Sequence, residues 1–490
     1  MEEVFETVNR VVWGAPALVL ILGVGLYITL RTGFVQVRLF WPALRDFGER
    51  LIGSNRTDGE VSSFQALCTA LAATVGTGNL VGVAGALSIG GPGAIFWMWV
   101  CAFLGMATKF AEATLAVRYR EKAGAEYLGG PMYMIRNGLG MRWLWLGSVY
   151  SFFGVVAAFG VGNATQINAV VTGVNESIKV FGGRESTFGN LAMGVVLAFV
   201  IAAMLLGGAR RIGAVAEKLV PFASAAYLML GFGVLLLRME AIPEALRSIL
   251  VGAFSPGAVT GGMVGSALCA LRIGVSRGVF TNEAGMGTAS IAHAGANVSH
   301  PAQQGLMGIM EVFLDTIVIC SMTALVILVS GVNVGYGEDT GATLTVEAFS
   351  SVYGDWVSLF LAGALCCFAF ATVLGWGLYG ARCAQFLFGA GVWKRFVWLQ
   401  AAAVVLGAVL NTRTVWLLSE TVNGLMAIPN LIALCALCPE LVRLTKEYQF
   451  DRERCVPNGG KYESIHQCKP LRTLSHAEVP SAGGSSAKRR

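Results

Sequence analysis

The chain has 490 residues, of which 55% are hydrophobic and only 13% are charged, and its formal net charge is +6. Soluble globular proteins carry about 25% charged residues, so this composition excludes a soluble enzyme and predicts an all-α polytopic membrane protein in a lipid bilayer. Nucleic-acid binding is not indicated, because the basic residues lie in short connections and in the C-terminal tail, where such residues set membrane topology.

About eleven apolar segments are long enough, or nearly so, to cross a bilayer as helices. The first follows an acidic N-terminus and has no cleavage site behind it, so it is predicted to be an extra N-terminal transmembrane helix within residues 1–35 and not a signal peptide. In chain order the predicted spans are residues 14–30, 64–88, 93–117, 144–174, 190–207, 213–237, 259–296, 304–331, 355–388, 396–411 and 416–444.

Lysine and arginine concentrate on one set of connections, at residues 31–56, 118–142, 210–218 and 394–395, and in the tail. By the positive-inside rule this set is cytoplasmic, which predicts an N-terminus outside and a C-terminus inside. Residues 446–490 are polar and end in basic residues, so they are predicted to form a disordered cytoplasmic tail. Cys435 and Cys438 form a CxxC inside an apolar segment without a second cysteine or histidine cluster, so neither a metal centre nor another cofactor is predicted.

Two of the apolar segments are interrupted near their middle. Two glycines lie two residues apart beside Thr and Asn at 76–79, and the same combination recurs at 281–287. Backbone groups freed inside a bilayer cannot face lipid, so they must line a cavity or bind something polar. Discontinuous helices are therefore predicted at about residues 72–80 and 280–287, although one such motif alone is explained equally well by close helix packing.

Each interrupted segment opens a run of five predicted spans, at residues 62–238 and 258–445. An odd number of spans per run makes the second run antiparallel to the first, so the two are predicted to be inverted repeats. Interrupted helices at matching positions of two inverted repeats indicate the midplane binding site of a secondary transporter. An enzyme is not predicted, since the sequence has no HExxH motif, phosphate-binding loop or nucleophile–base pair.

Several longer motifs resemble the alanine/glycine:cation symporter family of the amino acid-polyamine-organocation superfamily. They are residues 76–84, 90–99, 162–166, 277–287 and 370–376. The resemblance implies the five-plus-five inverted fold and sodium-coupled import of alanine or glycine by alternating access. It also implies a plasma-membrane protein of the bacterial inner-membrane type, which we expect to be a monomer. Import coupled to protons, on the same fold, is the alternative.

The predicted substrate site uses both interruptions. Helix N-termini bind carboxylates through backbone N–H groups, which Gly78 and Asn79 are expected to supply, while Phe280 and Thr281 end the half-helix whose carbonyls face the ammonium group. The resemblance implies Gln166 as a ligand, although a buried Gln can also make only an interhelical hydrogen bond. Phe280 is interpreted as a lid or as a core residue. The remaining predicted substrate residues are Thr74, Thr77, Gly162, which is expected to leave room for the substrate, Ala284 and Thr372.

For the sodium ion, the resemblance implies the carbonyls of Ala72, Val75, Phe368 and Ala371 with the Thr372 hydroxyl. The alternative for Thr372 is a hydrogen bond to the preceding turn of its own helix. Thr281 and Asn79 are candidates for a second ion. Three further acidic residues are expensive inside a membrane: Glu283 is interpreted as a helix cap or a partner of Arg277, whereas the sequence leaves open whether Glu311 and Asp315 line an ion path or a hydrated vestibule.

Overall fold

The structure is a computed structural model that describes residues 12–52, 61–124, 126–180, 182–261, 266–337, 341–409 and 413–454. This part of the chain is almost entirely helical. One short hairpin, β1 (Glu121–Ala123) with β2 (Glu126–Leu128), is antiparallel and pairs Lys122 with Tyr127. The predicted all-α fold class is confirmed.

The described residues of the first half of the chain form eleven α-helices. Those from the N-terminus to the hairpin are α1 (Ala15–Arg31), α2 (Val35–Arg38), α3 (Phe40–Ile52), α4 (Ser63–Thr74), a π-helical turn (Gly78–Gly82), α5 (Val83–Gly90) and α6 (Gly93–Arg118). After the hairpin come α7 (Pro131–Met134), a π-helical turn (Ile135–Leu139), a 3₁₀ turn (Met141–Trp143), α8 (Leu144–Phe159), a π-helical turn (Gly160–Ala164), α9 (Thr165–Val180), α10 (Thr187–Leu205) and α11 (Gly208–Leu237).

The second half begins with a 3₁₀ turn (Met239–Ala241), and its described residues form ten more α-helices. They are α12 (Ile242–Phe254), α13 (Pro256–Thr260), α14 (Ala267–Asn282), α15 (Thr288–His293), α16 (Pro301–Val312), α17 (Ser321–Ser330), α18 (Gly341–Tyr353), α19 (Val357–Phe388), α20 (Trp393–Val409) and α21 (Arg413–Arg454). A π-helical segment (Phe313–Cys320) joins α16 to α17, and a 3₁₀ turn (Ala390–Val392) precedes α20.

Within the described residues, eight helices are long and apolar enough to span a bilayer. A ninth candidate is the pair formed by Ser63–Thr74 and Gly78–Gly90, which is bent by 52°, and Pro16–Arg31 is apolar but shorter. The predicted seventh span is divided between α14 and α15, neither of which crosses a bilayer alone. The chain is therefore polytopic, while the total of eleven spans and the inverted relation of the two halves stay predictions.

Several helices, among them α3, α12 and α18, and the hairpin lie on connections for which the sequence predicted no structure. Helix α3 follows the first span and is stabilised by i,i+4 ion pairs, in which Arg45 lies 2.8 Å from Glu49 and Arg50 lies 3.2 Å from Asp46. Helix α12 begins with a proline and an acidic residue in its first turn, both favourable there. Helix α18 precedes the ninth predicted span.

The predicted disordered tail begins too early. Helix α21 continues to Arg454, so residues 446–454 are helical. No glycine or proline interrupts residues 440–456, and Arg443 pairs with Glu447 one turn away at 3.0 Å, which favours continued helix. Residues 455–490 lie outside the described part of the chain.

Two sets of helices surround the interruptions. Helix α6 packs against α14, α15 and α16, while α19 packs against α8, α9 and α20. The π-helical turn at Gly78–Gly82 contacts α14, α18 and the π-helical segment Phe313–Cys320. The two interrupted elements therefore meet inside the molecule, between the two sets.

Candidate functional site

The first interruption lies between α4 and the π-helical turn that follows it. Val75 is extended, with φ −76° and ψ 99°. The N–H of Gly76, which a continuous helix would give to the Ala72 carbonyl, donates instead to Asn79 Oδ1 at 2.9 Å. The Ala72 carbonyl is thereby released from the helical pattern, and the chain bends.

The second interruption lies between α14 and α15. Glu283, Gly285 and Gly287 have φ values of 53°, 94° and 78°. Such values are incompatible with a right-handed helix, and an L-residue other than glycine rarely adopts them. Both discontinuities predicted from the sequence are therefore present.

Three predicted residues meet beside the first interruption. Thr77 Oγ1 donates to Gln166 Oε1 at 3.1 Å, and Gln166 Nε2 donates to the Val161 carbonyl at 3.1 Å. A Cβ atom added to Gly76 would lie 2.6 Å from Thr372 Oγ1 and 3.4 Å from Gln166 Oε1. The structure thus brings Thr77, Gln166 and Thr372 together around the backbone of Gly76.

Phe280 and Thr281, at the second interruption, lie against Gly78 at the first. A Cβ atom on Gly78 would lie 3.1 Å from Thr281 Cγ2 and 3.5 Å from Phe280 Cδ1. The Thr281 hydroxyl donates to the Gly278 carbonyl at 2.9 Å. Phe280 also packs against the buried cluster that contains Trp376, so its role as a lid stays a prediction.

Three predicted substrate residues have other contacts. The Thr74 hydroxyl donates to the Ala70 carbonyl at 3.2 Å. Ala284 packs on α6, since its Cβ would lie 3.0 Å from a Cβ added to Gly105. A Cβ on Gly162 would lie 2.2 Å from Trp376 Cβ, so in this structure Gly162 makes room for Trp376, and its expected role in leaving room for substrate stays a prediction.

The predicted sodium ligands lie where α4 and α19 approach closely. A Cβ on Gly375 would lie 2.8 Å from Ala73 Cβ, one residue beyond the released carbonyl of Ala72. The Thr372 hydroxyl donates to the Phe368 carbonyl at 3.0 Å. The within-helix hydrogen bond considered as the alternative for Thr372 is therefore present, and cation binding by these residues stays a prediction.

Asp315 connects the two interruptions. Asn79 Nδ2 donates to Asp315 Oδ1 at 2.7 Å, and Thr316 Oγ1 donates to Asp315 Oδ2 at 2.7 Å. The Thr316 hydroxyl in turn lies 3.4 Å from that of Thr281. Both Glu311 and Asp315 are fully buried, so neither lines a hydrated vestibule in this structure. The arrangement gathers carbonyl, hydroxyl, amide and carboxylate oxygens, which are the ligands of hard cations.

The family model described as "Sodium:alanine symporter family" matches residues 1–458. The chain belongs to the sodium:alanine symporter family. It is 42% identical over 465 residues to the sodium/alanine symporter AgcS of Methanococcus maripaludis, covering 92% of this chain and 98% of that one. It is 36% identical over 462 residues to the amino-acid carrier protein AlsT of Bacillus subtilis, covering 94% of each.

The crystal structure of MhsT in complex with L-phenylalanine resembles this symporter with a TM-score of 0.55 at 14% identity. The match covers 79% of this chain and 98% of that chain, and at this identity it speaks for the fold alone. The protein is therefore a multi-pass membrane transporter for cation-coupled amino-acid symport, and it is not an enzyme.

Glu283 of this symporter accepts two hydrogen bonds. Trp376 Nε1 donates to Oε1 at 3.0 Å, and the hydroxyl of Thr288, the first residue of α15, donates to Oε2. The second contact is with a side chain and not with a backbone N–H of α15, whose N-cap is Gly287, so the interpretation of Glu283 as a cap of the second half-helix is not supported. The first joins the interruption to α19, which the sequence did not predict.

A second cluster of buried polar side chains in the symporter was not predicted from the sequence. Lys109 Nζ lies 3.0 Å from Glu311 Oε1, and His293 Nε2 lies 2.8 Å from Glu311 Oε2. Glu112 Oε1 accepts the N–H groups of Gly285 at 2.9 Å and Gly287 at 3.1 Å. The sequence feature that could have predicted this group is the presence of Lys109 and Glu112, three residues apart, inside an apolar span. Ionisable residues at such depth are rare and usually functional.

Proposed function

We propose that this protein is a sodium-coupled symporter that imports small neutral amino acids, alanine or glycine, by alternating access. The observation that carries the proposal is the meeting of two interrupted helices, where a Cβ atom on Gly78 would lie 3.1 Å from Thr281 Cγ2 and 3.5 Å from Phe280 Cδ1. Secondary transporters hold substrate and ion at such interruptions near the bilayer midplane.

An amino-acid zwitterion suits this pair of half-helices. Its carboxylate is matched by the N-terminal end that starts at Gly78, where backbone N–H groups and the helix dipole supply positive charge. Its ammonium group is matched by carbonyls at the end of α14, near Phe280 and Thr281. Gln166 adds an amide that already bonds Thr77 at 3.1 Å. The short spacing among these residues favours a small side chain.

The proposed sodium site combines the released Ala72 carbonyl with those of Val75, Phe368 and Ala371 and the Thr372 hydroxyl. A second ion is proposed at Asp315, where Asn79 and Thr281 converge. Sodium is favoured for the first site because all five ligands are oxygens and none of them titrates near neutral pH. The name of AgcS, a sodium/alanine symporter, supports the same ion and substrate.

Alternating access is supported by unequal contacts at the two ends of the interrupted helices. The Thr345 hydroxyl of α18 donates to the Leu80 carbonyl at 3.1 Å, on the side proposed to face outward. On the opposite side a small pocket opens between Val61, Thr69, Ile291 and Arg382. We place the protein in the bacterial inner membrane, as a monomer with its N-terminus outside and its C-terminus in the cytoplasm.

The deciding experiment is alanine uptake into proteoliposomes with external sodium replaced by choline. Sodium coupling predicts loss of uptake, restored by sodium in a saturable manner. Unchanged uptake without sodium would defeat the proposal. Counterflow exchange of labelled for unlabelled alanine separates a carrier from a channel.

Proton coupling remains the second candidate because the buried carboxylates of Glu112, Glu283 and Asp315 lie beside the interruptions. The same proteoliposomes test it when an inward proton gradient is imposed without sodium. Accumulation of alanine under that gradient would favour the proton.

A further inference from the structure

Glu112 of α6 is a buried carboxyl group with two very different oxygens. Three donors converge on Oε1: the N–H groups of Gly285 and Gly287, and Asn430 Nδ2 at 2.7 Å. Within the described part of the chain, Oε2 has no hydrogen-bond donor and no solvent exposure. Asn430 Oδ1, the side-chain oxygen of the same residue, is also buried without a donor.

The surrounding charges do not neutralise a Glu112 carboxylate. Lys109, one turn away on α6, is 3.0 Å from Glu311, so these two charges cancel. Gln304 Nε2 lies 2.7 Å from His293 Nδ1, and an amide nitrogen can only donate. His293 is therefore bonded on both ring nitrogens, to Gln304 and to Glu311.

The other buried titratable groups around Glu112 add no positive charge. Glu283 and Tyr150 lie within electrostatic range, and Asp315 is bonded to Asn79 and Thr316. Helix α5, which also packs on α6, has no charged residue. The charged residues of α1, α2, α12 and α14 are exposed, namely Arg31, Arg38, Glu244, Arg247 and Arg272, or half-buried, namely Arg277. One fully buried lysine therefore faces four buried carboxyl groups.

We propose that Glu112 is a proton-binding site of this symporter, with a dissociable proton on Oε2, and that the protonated form is the one that transports. A carboxylate oxygen without a donor in a dry site is costly, whereas a proton there removes the charge. Ionisation would strengthen the hydrogen bonds to Oε1 but leave a buried charge without a donor on Oε2, which would attract water to the turn of Gly285–Gly287 beside Phe280 and Thr281.

The proton has a measurable signature that does not require transport. A protonated carboxyl group gives an infrared carbonyl band that a carboxylate lacks. We expect this band in purified symporter at neutral pH, its loss at alkaline pH, and its absence from Glu112→Gln. A Glu112→Gln difference spectrum without a carboxylic acid band at any pH would overturn the proposal.

The variant Glu112→Gln also tests transport, because the amide keeps the Oε1 acceptor for all three donors and resembles the neutral acid. Its alanine uptake should stay within about threefold of its neutral-pH value as pH rises. Wild-type uptake should fall by about tenfold per pH unit once the acid ionises. Glu112→Gln with the wild-type pH profile, or failing to insert as folded protein, would contradict the proposal.

Two matched substitutions make the comparison specific. Glu311→Gln is an equally buried change but removes the charge that pairs with Lys109, so we expect loss of folded protein or at least a hundredfold loss of uptake, on the order of the cost of breaking a buried pair. Glu440→Gln removes the ion pair of 2.9 Å with Arg118, which is on the same helix as Glu112. This variant should keep both the infrared band and the wild-type dependence of uptake on pH. The uptake test rests on the proposed function, but the infrared test does not, so the two proposals can fail separately.

Discussion

Thr372 is the residue at which the proposed ion and substrate sites come closest. Its hydroxyl faces the backbone of Gly76 and already bonds the Phe368 carbonyl. One oxygen can accept a cation while its hydrogen stays on that carbonyl. Its loss should therefore affect the ion before the amino acid.

We expect Thr372→Ala to weaken apparent sodium affinity about tenfold, as for the loss of roughly 1.4 kcal/mol of interaction with an ion. Apparent alanine affinity, measured at saturating sodium, should change less. Thr372→Ser keeps the hydroxyl and should keep most of the sodium affinity. Equal losses for sodium and alanine in Thr372→Ala would count against the sodium site.

Gln166 offers a second test at this scale. Gln166→Ala should raise the KM for alanine several-fold, on the order of a lost hydrogen bond to a charged ligand. Gln400→Ala is the control, because Gln400 is also a buried amide and donates to the Ala158 carbonyl at 3.0 Å, away from the interruptions. An unchanged KM in Gln166→Ala would remove that residue from the substrate site.

At the scale of the element, the interrupted helices illustrate what a sequence can and cannot disclose. The glycines at 76, 78, 285 and 287 predicted both interruptions, because glycine weakens a helix locally and the effect depends on few neighbours. The amphipathic α3 and α12 were missed, since helices lying outside the apolar core give no long hydrophobic run. The π-helical turns depend on packing with distant residues, which no local pattern records.

The bond between Asn79 and Asp315 provides a test of the first interruption as an element. Asn79→Asp places two carboxyl groups in contact and should abolish sodium-dependent uptake, because like charges at this distance repel in a buried site. Adding Asp315→Asn restores one carboxylate and one amide, in exchanged positions. Sodium-dependent binding and uptake should then recover in part. No recovery in the folded double variant would mean that the positions are not interchangeable.

For the whole molecule, composition and alternating charge on the connections predicted a polytopic membrane protein, and the motif resemblance predicted its family, which the family model confirms. The partners of buried polar groups could not be predicted. Asn79 and Asp315 are 236 residues apart in sequence, and Lys109 and Glu311 are 202 apart. Only the folded chain brings such pairs together, and many arrangements of eleven helices would satisfy the same hydropathy.

Coupling to membrane potential is a property of the whole molecule and can be measured directly. A neutral zwitterion carried with one sodium ion moves one net charge, worth about 2.3 kcal/mol per 100 mV. With equal sodium on both sides, an interior-negative potential of about 100 mV should therefore support roughly 40-fold alanine accumulation. A potassium gradient with valinomycin supplies the potential. Accumulation that is independent of potential would exclude net charge movement.

The hydrogen bond from Gly76 to the side chain of Asn79 has a consequence for motion. A regular helix can bend sharply only by breaking backbone hydrogen bonds, so a change of direction lowers its stability. Here the amide hydrogen at the corner is held by a short side chain with two rotatable bonds. Rotation of that side chain allows α4 to change its angle to the helical segment that starts at Gly78, while each segment keeps its own backbone hydrogen bonds. The interruption can therefore bend without local unfolding.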